Sequence, residues 1–149
     1  MDEFYKIKVA GLERNLPICK VNDNLSIAAF VIFGDVELTV ECAKELVKRV
    51  PEHDYMITAE AKGIPLIHEM ARQMGVNKYL IARKAPKLYM KDPFNVEVQS
   101  ITTAKKQTLY IDAEDAKLMK GKKILIIDDV ISTGESIVAV EKLVELAGG

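Results

Sequence analysis

The sequence predicts an α/β fold with a mostly parallel, open sheet flanked by helices. Short runs of apolar, β-branched residues alternate along the chain with longer segments in which apolar residues recur every three to four positions. The first pattern is typical of buried parallel strands and the second of amphipathic helices. Strands that alternate with helices pair in parallel and are covered on both faces. A length of 149 residues fits a single domain, which we place over the whole chain, 1–149.

The composition is that of an ordinary globular protein, with 49% hydrophobic and 29% charged residues and a formal net charge of −1. This balance gives no electrostatic basis for binding nucleic acid or an anionic membrane, so neither partner is expected. No apolar run approaches the roughly 18 residues that a membrane span needs, and the acidic N-terminus is unlike a signal peptide. We therefore expect a cytoplasmic protein. Two cysteines without a CxxC pair indicate neither a disulfide framework nor a zinc site.

The N-terminal residues predict a hairpin followed by a buried segment. Phe4–Ala10 and Leu16–Val21 alternate between apolar and polar residues and flank a turn at Gly11–Asn15. Leu25–Phe33 is almost continuously apolar, which predicts a buried strand or core segment. Gly34 then breaks the run, and Asp35 is a residue type that caps helices.

The middle of the chain predicts two strand–helix units. The pattern indicates a helix that ends at Pro51, a strand at Tyr55–Thr58, a second helix from Ile64 that ends at Gly75, and a strand at Tyr79–Ala82. These strands are short and apolar, so we place them inside the parallel sheet.

The last third predicts a loop, a second hairpin and a final strand–helix unit. Residues 83–96 contain two prolines and four cationic side chains and read as a loop. Val96–Ile101 and Thr108–Ile111 then form the hairpin. Lys123–Ile127 is a buried strand, and apolar residues from Ile137 onward mark the last helix.

The segment 123–136, KILIIDDVISTGES, contains the residues that point to chemistry. Asp128 and Asp129 stand at the carboxyl end of a buried strand, where ligands bind in open α/β sheets. The hydroxyl-rich stretch after them leads into a helix, whose free N–H groups attract a phosphate, and a glycine there permits close approach. Adjacent acids can accept hydrogen bonds from ribose hydroxyls while the loop holds a 5-phosphate. The alternative is that the acids and hydroxyls only cap the helix.

This segment resembles the phosphoribosyl pyrophosphate (PRPP) motif of the type I phosphoribosyltransferases, closest to the adenine and xanthine enzymes. The resemblance extends over roughly residues 24–149. It implies the fold of that family, with ribose bound by Asp128 and Asp129. The residues it implies for the 5-phosphate are Ser132, Thr133, Gly134, Glu135 and Ser136. Family members often have glycine where Glu135 stands, but the backbone donors remain.

Two further stretches resemble the part of the family site that binds pyrophosphate. One is the strand–helix connection formed by Glu60, Ala61, Lys62 and Gly63. The other follows the next strand, where Arg83, Lys84 and Lys87 match a basic stretch of the adenine enzymes. Fixed cations there would neutralise the departing pyrophosphate. A plain connection and a solvated basic loop are the structural alternatives.

The catalytic group and the base site are less well defined. Residues 100–107 stand where the family has a mobile loop, and Lys105 and Lys106 are weak candidates to reach PRPP. No carboxylate matches the one expected in the adenine enzymes, so the proton-transfer group stays unassigned. Phe30 or Phe33 could stack on the base, although burial in a core strand explains both equally well.

The resemblance implies Mg²⁺-dependent transfer of ribose 5-phosphate from PRPP to a purine, adenine first, for purine salvage. Magnesium would be bound with PRPP rather than by the protein, and the chain would form a homodimer. Residues 1–34 would form a hood over the base. The chain stops at Gly149, so we expect that the family's C-terminal strands are missing. The alternatives are a xanthine or guanine enzyme, an orotate or uracil enzyme, and a non-catalytic regulator that senses PRPP.

Overall fold

The computed structural model describes residues 3–99 and 106–149, and these ranges contain eight strands and four helices. The strands are β1 Phe4–Val9, β2 Leu12–Asn22, β3 Leu25–Ala28, β4 Tyr55–Ala59, β5 Leu80–Ala82, β6 Phe94–Gln99, β7 Lys106–Ile111 and β8 Ile124–Ile126. The helices are α1 Val36–Val47, α2 Ile64–Met74, α3 Ala113–Met119 and α4 Glu135–Leu146. Within the described ranges, no helix has the length and apolar character that crossing a membrane requires.

A parallel sheet with strand order β5-β4-β8 forms the centre of the molecule. Side chains alternate across β4, so Met56 packs into a core cluster with residues of α1 and α2, and Ile57 into a cluster with residues of α3 and α4. Helices therefore cover both faces of the sheet. This arrangement confirms the predicted α/β fold with a mostly parallel sheet.

The N-terminal strands form a separate antiparallel sheet with order β1-β2-β3. Ala10 and Gly11 connect β1 to β2 and both have positive φ, 51° and 79°. Two consecutive residues of this kind make the tight turn that suits a twisted hairpin. The hairpin was predicted, but its turn was placed wrongly, because residues 12–15 continue the ladder and pair with β1.

Leu25–Phe33 was predicted to be a buried strand or a core segment, and the strand that it forms is not buried. The strand β3 ends at Ala28, pairs with β2 instead of joining the parallel sheet, and is exposed along its length. Ile32 enters the core with 1% of its surface exposed, whereas Phe33 is 47% exposed. An apolar run does not say which sheet a strand joins, and a strand at the edge of a small sheet leaves its side chains in solvent.

An ion pair links this N-terminal sheet to the first helix. Asp35 caps α1, as predicted, because its Oδ1 accepts a hydrogen bond from the backbone N of Leu38 at 3.1 Å. The Nε of Arg14 on β2 donates to Oδ2 of Asp35 at 2.7 Å. The hydrogen bond from Arg14, followed by that from Leu38, lowers the pKa of Asp35. The pair thus fixes one end of the segment that connects β3 to α1.

The predicted second hairpin is present as β6 with β7, but its strands begin earlier than the predicted Val96 and Thr108, at Phe94 and Lys106, and Phe94 pairs with Ile111. Backbone hydrogen bonds in both directions join Arg83 to Tyr110, which attaches the hairpin to the end of β5. The sequence did not predict α3, which has only seven residues and buries Ala116 and Met119. A helix of seven residues completes only about two turns. Its apolar residues therefore recur too few times to reveal a helical pattern in the sequence.

Candidate active site

Three connections at the carboxyl ends of the parallel strands surround one cavity of about 360 Å³, here called the main cavity. Parallel strands end at the same edge of a sheet, so the residues that follow β4, β5 and β8 are brought together there. The cavity is lined by Phe33, Ala59, Glu60, Ala61, Lys62, Gly63, Lys84, Leu109, Asp128, Asp129, Ser136 and Ala139. The structure therefore gathers side chains that the sequence places far apart along the chain.

The predicted phosphate loop forms a second, smaller concavity of about 70 Å³ beside the main cavity. It is lined by Asp128, Val130, Ile131, Ser132, Thr133, Gly134, Glu135, Ser136 and Ile137. Gly134 stands immediately before α4 with φ of 85°, a conformation that costs other residues strain. Asp128 and Ser136 line both spaces, so a ligand could extend from one into the other.

The two adjacent acids differ in environment. Oδ1 of Asp128 accepts a hydrogen bond from the backbone N of Asp129 at 2.8 Å. Burial, followed by hydrogen bonding and charge from the neighbouring carboxyl of Asp129, raises the pKa of Asp128 to about 6. Burial and a second acid both disfavour the charged form, so Asp128 ionises only as the pH rises through this value.

We expect carbon-detected NMR of the ligand-free protein to give a titration midpoint for Asp128 near pH 6. A pKa that folding raises means that the neutral form favours the folded state, so this contribution to stability is lost as the pH rises toward 6. Replacing Asp129 with Asn should lower the midpoint. A midpoint that does not move in Asp129→Asn would contradict the coupling between the two acids.

The connection after β4 lies directly over a buried threonine. Thr58, the next-to-last residue of β4, is 1% exposed. A Cβ atom on Gly63 would lie 2.2 Å from Oγ1 of Thr58, so only glycine fits at position 63 without a shift. The peptide between Glu60 and Ala61 is cis. Lys62 is exposed and lines the main cavity.

The basic residues after β5 have separate positions. Lys84 lines the main cavity, and its backbone N donates to Oε1 of Glu60 at 2.6 Å. Nε of Arg83 lies 3.3 Å from Oε2 of Glu60, and its terminal nitrogen donates to the hydroxyl of Tyr89. Neither Arg83 nor Lys87 is among the described residues that line the main cavity. Of the three predicted cations, the structure thus brings Lys84 to it.

The two aromatic candidates for base stacking line different spaces. Phe33 lies at the main cavity. Phe30 lines another cavity of about 650 Å³ between the first hairpin turn and α1, which also reaches Asp128 and Asp129. Residues 100–105, including Lys105, lie outside the described residues. Lys106 begins β7, and its side chain is also outside the description.

The side chains at this edge of the sheet determine how the protein could bind magnesium. Among the described residues, no three His, Cys, Asp or Glu side chains are grouped so that they could hold a metal ion. Asp128 and Asp129 offer carboxylate oxygens after β8, and Mg²⁺ usually combines one or two carboxylates with water and substrate phosphates. The site therefore suits an ion that arrives with a phosphate ligand.

Sequence reasoning missed Thr58 and Tyr89. Thr58 looks like any β-branched strand residue, and its role depends on contact with Gly63. Tyr89 is an exposed loop residue whose importance comes from its hydrogen bond with Arg83. Neither position carries a local sequence signal.

Comparisons with known proteins show similarity to phosphoribosyltransferases. A profile of the family described as phosphoribosyl transferase domain matches residues 40–148. A hypoxanthine/guanine phosphoribosyltransferase of Methanocaldococcus vulcanius is 39% identical over 93 residues, which are 62% of this chain and 46% of the relative. One from Methanocaldococcus sp. (strain FS406-22) is 34% identical over 114 residues, 75% of this chain and 54% of the relative. The chain thus spans about half the length of the curated relatives it matches.

Solved structures with a similar fold include adenine phosphoribosyltransferases. That of Thermoanaerobacter pseudethanolicus has a TM-score of 0.71 at 21% identity, and the match covers 99% of this chain and 78% of the other. That of Saccharomyces cerevisiae, complexed with an imino-altritol bisphosphate and adenine, has a TM-score of 0.69 at 21% identity, over 98% and 78% of the two chains. At this identity the likeness concerns the fold.

Proposed function

Because the chain belongs to the phosphoribosyl transferase domain family, we propose that it transfers ribose 5-phosphate from PRPP to a purine base and releases pyrophosphate. The observation that carries the proposal is the position of Asp128. This residue lines both the main cavity and the smaller concavity that the phosphate loop forms. A ligand with a phosphate at one end and ribose hydroxyls beside it matches this pair of adjacent spaces, which share Asp128 and Ser136 in their lining.

The proposed ligand would lie across both spaces. Its 5-phosphate would accept hydrogen bonds from the backbone at the start of α4 and from Ser132, Thr133 and Ser136. The ribose hydroxyls would donate to Asp128 and Asp129. The pyrophosphate would occupy the polar part of the main cavity, at residues 61–63 and Lys84, which lie within its lining.

The residues fit a reaction in which positive charge develops on the ribose and negative charge on the leaving group. Asp128 and Asp129 lie where the ribose would be, and Lys62 and Lys84 where the pyrophosphate would depart. Fixed charges of opposite sign at these two places stabilise such a transition state. Magnesium bound to the pyrophosphate oxygens would neutralise further charge on the leaving group.

We propose a purine as the acceptor, with two candidate groups. The stretch from Arg83 to Leu88 resembles the adenine enzymes, which favours adenine. The sequence relatives named above are hypoxanthine/guanine enzymes, which favours a 6-oxopurine. Base choice depends on hydrogen bonds to the exocyclic group, so one group should be strongly preferred. Phe33 is the better placed of the two aromatic candidates to stack on the base, since it lines the main cavity. The homodimer, the hood role of residues 1–34 and the roles of Lys105 and Lys106 belong to the same proposal.

The test is pyrophosphate release from PRPP and magnesium with adenine, hypoxanthine, guanine, xanthine, orotate and uracil in turn. We expect release with at least one purine, at a rate well above that with either pyrimidine. Preference for orotate or uracil would contradict the purine assignment. PRPP binding without turnover of any base would instead favour a regulator that senses PRPP.

A further inference from the structure

The carboxylate of Glu60 is held between two loops that the chain builds separately. Oε1 accepts the backbone N–H of Lys84 at 2.6 Å, and Oε2 lies 3.3 Å from Nε of Arg83. Glu60 follows β4, whereas both partners follow β5. Glu60 thus contacts the loop after β5 through both carboxylate oxygens. Its side chain is 19% exposed and also borders the main cavity.

Arg83 is likewise engaged within the protein. Its Nε is fully buried and has no hydrogen-bond partner with good geometry in the described part of the chain, so Glu60 supplies only a charge contact there. Its terminal nitrogen donates to Tyr89, and its backbone pairs with Tyr110 in both directions. The guanidinium thus neutralises Glu60 rather than adding positive charge to the main cavity.

Glu60 is ionised at neutral pH despite its burial. Burial by itself would raise its pKa, but the N–H of Lys84 and the charges of Arg83 and Lys87 together hold the pKa below its usual value. A charged acceptor forms a stronger hydrogen bond to a backbone N–H than a neutral one. The contact between the two loops therefore has the strength of a charge-assisted bond.

We propose that Glu60 is a positioning residue that clasps the loop after β5 to the loop after β4, and so holds Lys84 beside Lys62 at the main cavity. This inference rests on the proposed function, since pyrophosphate is the ligand that the two lysines would bind. It differs from the expectation that Glu60 and Arg83 contact pyrophosphate themselves. Both residues act through Lys84 instead.

A simple charge argument predicts the opposite effect of removing Glu60. A carboxylate at the border of an anion site repels the anion, so its removal should tighten pyrophosphate binding. A clasp that positions Lys84 should, when removed, weaken pyrophosphate binding. The sign of the change therefore separates the two explanations.

The experiment compares Glu60→Ala and Glu60→Gln with the unmodified chain. In the ligand-free protein we expect the amide hydrogen of Lys84 to exchange at least about tenfold faster in Glu60→Ala, because its charged acceptor is lost. By calorimetry, inorganic pyrophosphate with magnesium should bind about tenfold more weakly, and ribose 5-phosphate within about twofold of the unmodified chain. Glu60→Gln keeps a neutral acceptor for Lys84 and should lie between the two.

Glu69→Ala is the matched control. Glu69 also pairs with an arginine, Arg72, and is 12% exposed, but it lies on α2 outside the lining of the main cavity. Its removal should leave pyrophosphate affinity unchanged.

Tighter or unchanged pyrophosphate binding in Glu60→Ala would overturn the inference, as would an equal loss of ribose 5-phosphate binding. Unchanged amide hydrogen exchange at Lys84 in Glu60→Ala would contradict the clasp between the two loops, but not the proposed function. If the unmodified chain failed to bind pyrophosphate, the proposed function would fail with it, and faster exchange at Lys84 would then leave the clasp as a structural contact without this ligand.

Discussion

Asp128→Asn combined with Asp129→Asn is expected to abolish measurable binding of PRPP with magnesium. The two acids lie at the end of β8 and line both the main cavity and the cavity that contains Phe30. Each would accept a hydrogen bond from a ribose hydroxyl, and a bond to a charged acceptor contributes about 1.5–3 kcal/mol. Losing both charges should reduce affinity by about two to four orders of magnitude. Isothermal calorimetry of the double variant measures this loss directly.

The raised pKa of Asp128 allows loss of binding to be separated from loss of folding. Since burial makes the ionised form of Asp128 unfavourable in the folded chain, a neutral Asn should not lower stability above pH 6. Thermal unfolding should therefore occur at a temperature no lower than that of the unmodified chain. Asp23→Asn, at a 97% exposed side chain in the turn between β2 and β3, serves as the control and should bind PRPP normally. Unchanged affinity in the double variant would remove the ribose role.

The parts of the site that follow buried strands could be predicted from the sequence. The apolar runs before Ala59 and before Asp128 identify β4 and β8, and parallel strands bring their carboxyl ends to one edge of the sheet. The residues that come next, Lys62 and the pair Asp128 and Asp129, had to lie near one another for this reason. Local pattern and topology were sufficient for these positions.

The pairing of charged side chains could not be predicted in the same way. Arg83 and Lys84 are adjacent in the sequence, yet one is engaged by Glu60 and Tyr89 while the other lines the main cavity. A run of cations does not say which of them meets a carboxylate 23 residues away. The same limit explains Leu25–Phe33, since apolar character does not specify which sheet β3 joins.

Gly63→Ala is expected to destabilise the chain and disturb the connection after β4. Its φ is negative, so the backbone itself accepts alanine, and the cost comes from contact. The added Cβ would lie 2.2 Å from Oγ1 and 3.3 Å from Cβ of Thr58, whose side chain is buried. Overpacking of this kind typically costs about 1–3 kcal/mol. The measurement is the free energy of unfolding in urea.

Variants of Thr58 test whether contact with this side chain causes the destabilisation in Gly63→Ala. Thr58→Ala removes Oγ1, the nearer of the two clashing atoms, so the double variant with Gly63→Ala should be more stable than the sum of the single effects by about 0.5–3 kcal/mol. Thr58→Val keeps a branched side chain at the same place and should give no such relief. Additive effects in Thr58→Ala, or equal relief in Thr58→Val, would mean that Gly63 is needed for another reason. A stability gain confined to Thr58→Ala would show that contact with the side chain of Thr58 is the reason why position 63 requires glycine.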